Sequence, residues 1–147
     1  MRPALALRLL LCLLAITGLK AWAGDGRILS FEGDVQVNGQ PVTADTVLKR
    51  EDTITTAPGA SVKIVLSDNS VLDLDGGSKI LLSDYSYNPD EPESNTSKVD
   101  ILAGTLRYVS GHIAKDDPKN ISFTAGNSTI GVRGTYVSIS VEPQPEE

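Results

Sequence analysis

In Ser61-Val62-Lys63-Ile64-Val65-Leu66 the apolar residues Val62, Ile64 and Leu66 fall on every second position, and the same period of two recurs along most of the chain. A strand turns successive side chains to opposite faces, so this pattern buries one set and leaves the other to solvent. Val35-Gln36-Val37 shows it before Asn38-Gly39, a strong hairpin signal. The β-branched run Thr53–Thr56 stops at Ala57-Pro58-Gly59. Val71–Leu74, Lys79–Leu82, Lys98–Leu102, Thr105–Val109 and Ile121–Thr124 follow, separated by Ser67–Ser70, Asp75-Gly76-Gly77, Ala103-Gly104 and Ala125-Gly126-Asn127, all read as turns. No stretch carries the 3.6-residue period of a helix.

Short strands punctuated at this spacing predict an all-β fold: a compact sandwich or roll of about ten mainly antiparallel strands. A short β-solenoid is the alternative, because the strands between Ile54 and Leu82 are alike in length and spacing, although no residue-level repeat accompanies them. Two segments break the rhythm. Ser83–Ser97 contains Asn88-Pro89-Asp90-Glu91-Pro92-Glu93 and reads as an exposed acidic loop, and His112–Asn120 as a polar connection.

The N-terminal 23 residues have a different character. Arg2 and Arg8 precede an apolar run from Leu9 to Leu19, and Ala21-Trp22-Ala23 ends it with small residues at the spacing of a secretory cleavage site. The run is short against the roughly 20 residues of a membrane-spanning helix. The expected organisation is therefore a signal peptide at 1–23 cleaved after Ala23, one β-domain at 24–141 and a disordered acidic tail at 142–147. The product is expected in the periplasm or outside the cell, with no transmembrane segment in the mature chain. Cys12 is the single cysteine and falls in the leader, so no disulfide can form within the remainder.

Charge narrows the partners. Arg2, Arg8 and Lys20 also fall in the leader, leaving ten of the thirteen basic residues against nineteen acidic ones. Such a surface repels nucleic acid. Chemistry is narrowed as well, because one histidine and no mature cysteine exclude thiol catalysis and His/Cys zinc sites. His112 lies between polar neighbours without a nucleophile motif and reads as a solvated residue. Asp73-Leu74-Asp75-Gly76-Gly77 resembles part of a calcium loop, but with Gly76 in the glycine position the first and last ligand positions fall on Val71 and Leu82. No metal site and no cofactor are expected.

Gly33–Gly39, Leu48–Thr56, Ala57–Ser70, Leu72-Asp73-Leu74, Ser78-Lys79-Ile80 and the closing Phe123–Thr135, with its Gly131-Val132-Arg133-Gly134-Thr135, together resemble the FecR domain, a bacterial envelope module. Regulator members of that family carry an anti-sigma segment and a membrane helix ahead of the domain, where this chain carries a leader. Glu51-Asp52 also stands where the family pattern often has Gly-Asp. The resemblance implies a non-catalytic binding module, not an enzyme, whose partner is an envelope protein or a cell-wall polymer. A carbohydrate-active enzyme using paired Asp/Glu, or a purely structural envelope protein, are the alternatives.

Gly131, Arg133, Gly134 and Thr135 are the candidate binding residues. Two glycines permit unusual backbone angles on either side of a guanidinium with five donors. The favoured reading of Arg133 is a clamp that satisfies backbone carbonyls at a strand bend; the competing one is contact with an anion or a partner.

Overall fold

The computed structural model describes residues 24–142. The expected signal peptide and all but the first residue of the expected acidic tail lie outside them. The fold is all-β, with twelve strands: β1 (Gly26–Glu32), β2 (Val35–Val37), β3 (Gln40–Pro41), β4 (Val47–Leu48), β5 (Thr53–Thr56), β6 (Ser61–Leu66), β7 (Val71–Leu74), β8 (Lys79–Ser86), β9 (Thr96–Val109), β10 (Ile121–Ala125), β11 (Ser128–Gly131) and β12 (Tyr136–Val141). One short helix, α1 (His112–Asp116), links β9 to β10. None of the described helices is long and apolar enough to cross a membrane.

β9 organises the molecule. Its first half pairs with β8 and, in parallel, with β10, while its second half pairs antiparallel with β7 and β12. One half-sheet thus runs β3-β2-β5-β8-β9-β10-β11, and the other β12-β9-β7-β6-β1-β4. The sheet folds on itself where β9 passes from one half to the other, at Gly104. There the sequence predicted a turn between two strands, but β9 runs on through it as one strand that changes partners. Gly104 has φ +84°, and a Cβ in its place would overlap the side chain and backbone of Ser78. Ser78 Oγ accepts the Thr105 N–H at 3.1 Å, so the crease is tied at the point where it bends. A glycine can bend a strand as readily as it can end one.

Folding brings the two apolar faces together. Val62, Ile64, Leu66, Leu72, Leu74 and Leu106 from one half meet Ile54, Ile80, Leu82, Val99, Ile101 and Phe123 from the other in a single buried cluster. Tyr108 and Phe123 cross the interior edge to face, 5.0 Å between centroids. This is the expected roll. A solenoid would stack its strands in parallel, whereas β9–β10 is the one parallel pair among the described strands.

Two other expectations change. The predicted loop at Ser83–Ser97 is shorter, because β8 continues to Ser86 and β9 begins at Thr96. Tyr85, Asn95 and Ser97 are buried within that stretch, and the exposed acidic part is confined to its middle. Asn95 fastens its base, accepting the Asn88 N–H on its side chain at 2.6 Å. The polar connection contains α1, whose Ile113 and Ala114 are buried, a helical turn too short to leave a period in the sequence.

Candidate functional site

The end of the roll opposite the crease carries the chemistry. It is closed from inside by Asp68, which is fully buried in the β6–β7 turn. Its Oδ1 accepts from the Tyr85 hydroxyl at 2.9 Å and the Ser70 hydroxyl at 2.6 Å, and its Oδ2 from the Ile113 N–H at 3.2 Å. The Asp68 N–H donates in turn to the Tyr85 oxygen at 3.0 Å, and its carbonyl accepts the His112 N–H at 2.8 Å. One carboxylate therefore joins β8, the β6–β7 turn and α1. Burial, chiefly, pushes the Tyr85 phenol up, with the Asp68 charge adding to it. Tyr108 is likewise pushed up to about 12, first by burial and then by Asp68. Its hydroxyl lies near Ser70 and Gly111 yet makes no hydrogen bond. With no opening to solvent, this cluster is a latch.

Outside the latch, α1 leads through Asp117 into the turn Pro118–Asn120. Asp117 Oδ1 accepts the Lys119 N–H at 3.0 Å, and proline's fixed φ suits the first position of the turn. The Lys119 side chain is thereby presented to solvent beside β10. Facing it, the chain leaves β11 at Gly131 and arcs through 132–135 into β12.

Val132 anchors that arc in the core at 3 % exposure, while Gly131, Arg133, Gly134 and Thr135 are exposed. Gly134 has φ +119°, a conformation that disfavours side chains. Ser110 holds the far side: its Oγ donates to the Gly134 carbonyl at 2.7 Å and its N–H to the Thr135 carbonyl at 2.9 Å. These are the bonds that the arginine clamp was expected to make. Arg133 instead forms no hydrogen bond or ion pair with any described residue, because a buried valine and a serine already fix the arc.

Between turn and arc lies an open groove of about 820 Å³. Ile121, Ser122, Thr129 and Val132 make its floor, and Asp117, Lys119 and Arg133 stand at its rim. Two cations against one carboxylate give its lining a net positive charge on an otherwise acidic molecule. Of the four candidates from the sequence, Gly131 and Arg133 line the groove, while Gly134 and Thr135 shape the arc. Lys119 was missed. The pattern that sets it in place, Asp117-Pro118-Lys119, is a turn signal, and only the β9–β10 crossover brings it opposite Arg133.

The aspartates that imitate a calcium loop are engaged elsewhere. Arg107 donates to both oxygens of Asp75, at 2.8 and 2.7 Å, and lies 3.8 Å from Asp73. The bonds to Asp75 push the guanidinium pKa above its ordinary value. His112 is exposed, stacked on Tyr87 with 6.3 Å between ring centroids.

A family model described as FecR protein matches residues 52–146. The chain belongs to the FecR family. The match takes in β5 through β12, both sides of the groove and the whole Gly131–Thr135 arc, and begins after the Gly33–Gly39 segment that also carried the resemblance. No curated protein matches the chain, and no solved structure does.

Proposed function

We propose that this FecR-family chain is a non-catalytic binding module of the cell envelope that holds an acidic segment of an envelope protein in the groove between Lys119 and Arg133. The observation that carries this reading is Arg133 itself, displayed at the rim by an arc whose fold does not use it. A guanidinium without a partner among the described residues is available for bidentate pairing with a carboxylate. The envelope location rests on the leader-like Met1–Ala23. The groove favours binding over glycoside hydrolysis, since among the described residues Asp117 is the one carboxylate lining it, and two are needed for that chemistry.

The test is retention of envelope components on the immobilised mature chain, side by side with the double charge reversal Lys119→Glu/Arg133→Glu. Both side chains are exposed, so the variant keeps its far-UV spectrum and melting temperature. Salt-sensitive retention by the native chain that is lost in the variant is the expected outcome. Equal retention by both, or by neither, overturns the reading, as does turnover of glycan substrates by the native chain.

A further inference from the structure

Sheet edges invite pairing unless something blunts them. Among the described strands, β3 and β4 end the sheet with two residues each, β3 carrying Pro41, and β11 presents four, finishing on Gly131. β12 is different. Its six residues, Tyr136-Val137-Ser138-Ile139-Ser140-Val141, contain no charge, proline or glycine, and it pairs with β9 on one side alone.

The register shows which backbone groups are free. The Ser110 N–H binds the Thr135 carbonyl, so Thr135 faces Ser110 as a hydrogen-bonded pair. Such pairs alternate along an antiparallel ladder. Val137, Ile139 and Val141 therefore spend their backbone bonds on β9, and Tyr136, Ser138 and Ser140 direct theirs outward. In agreement, Thr105, opposite Ser140, turns its carbonyl away from β12 to accept from Asp75.

We infer that this edge is a homodimer interface, in which two copies pair antiparallel through β12 about a two-fold axis at Ser138. That register sets Ser138 against Ser138 of the second copy and Tyr136 against its Ser140, each with outward N–H and C=O groups to exchange. Self-complementary pairing of one surface with itself is what a two-fold dimer requires. On the inner face Val137 meets Ile139 of the other copy, and on the outer face each Tyr136, 58 % exposed in the single chain, lies over the other copy's Ser140.

Charge selects a second copy as the occupant. An acidic chain repels its own kind over most of its surface, yet β12 is neutral. At each end of the paired ribbon, Glu142 of one copy comes alongside Gly134 of the other, one residue from exposed Arg133, so opposite charges meet twice. A six-residue ribbon buries less than a standard interface, so the dissociation constant should be on the order of 10 µM or weaker.

Sedimentation of the mature chain over a range of concentrations tests this. The expected result is a monomer at low concentration passing reversibly to a dimer. Ser138→Lys puts two ammonium groups face to face on the axis and should weaken the dimer by roughly tenfold or more. Ser138→Glu does the same with carboxylates, and mixing S138K with S138E chains should restore dimerisation as a one-to-one heterodimer. Far-UV spectra that match the native chain show that the variants fold. Both substitutions leave Lys119 and Arg133 in place, so groove binding is scored on the S138K and S138E monomers, where no second copy's Glu142 approaches Arg133, and its failure is told apart from failure to dimerise. A chain that stays monomeric throughout overturns the inference and leaves the edge to a strand from a different protein. A dimer unaffected by S138K, or a mixture that fails to pair, overturns it as well.

Discussion

At the scale of single residues, the two buried tyrosines make opposite demands on their hydroxyls. Tyr85→Phe strips Asp68 of a donor and leaves the Asp68 N–H without its acceptor, both inside the core. Orphaned buried groups cost about 1–3 kcal/mol, so the variant should melt several degrees lower in a thermal scan. Tyr108→Phe removes a hydroxyl that bonds to nothing and should leave stability at neutral pH within about 0.5 kcal/mol of the native chain. Alkaline conditions separate the two states of Tyr108. Its folded pKa, about 12, is above the ordinary phenol value of 10.0, so the native state holds the proton that the unfolded chain releases. The contribution of Tyr108 to stability is fully present below pH 10 and is lost as pH rises through about 12, so Tyr108→Phe should flatten part of the alkaline descent in pH-dependent denaturant melts. Neither role was legible in the sequence. Asp68 and Tyr85 lie in segments whose local signals say turn and loop, and burial of a polar side chain in a turn is decided by what folds over it. Arg133 was legible as a singular residue. Its freedom was not, because the serine that does the work expected of it stands 23 positions earlier, in β9's exit.

Among elements, the strands were the readable part because alternation is a local consequence of having one buried face. Val62, Ile64 and Leu66, and again Leu72 and Leu74, are buried as their spacing demanded. Gly104 shows where local reading stops. A glycine after a strand signals a change of direction, but turn and crease differ in whether pairing is taken up on the far side, and here β8 pairs as far as Ala103, β12 from Gly104 and β7 from Leu106. The crease makes Gly104→Ala a severe substitution: the added methyl meets Ser78, and φ +84° is unfavourable for any side chain. Strain of this kind, about 1 kcal/mol or more before the collision is counted, should appear as a clear drop in the urea midpoint with an unchanged slope. Gly126→Ala provides the contrast. It too has positive φ, but a Cβ there meets open space, so it should lose only the backbone contribution.

For the whole molecule, the question is whether two half-sheets that share one strand behave as one unit. Their inward faces form a single buried cluster to which both halves contribute. Tyr108 and Phe123 touch across the interior, and Asp68 bonds to Tyr85 from the opposite half. Peeling one half away would expose the other's core entirely and break the latch, so partly unfolded forms gain little chain entropy for the surface they uncover. Unfolding should therefore be two-state, as is usual for domains of this size. Thermal melts followed by far-UV circular dichroism, which reports the strands, should superimpose on melts followed by tyrosine fluorescence, in which the buried Tyr85 and Tyr108 change surroundings more than Tyr87 and exposed Tyr136. A fluorescence transition that precedes loss of the strands would show the latched end loosening before the crease. In that case the groove would sit on a mobile mouth, and Tyr85→Phe would widen the separation between the two curves.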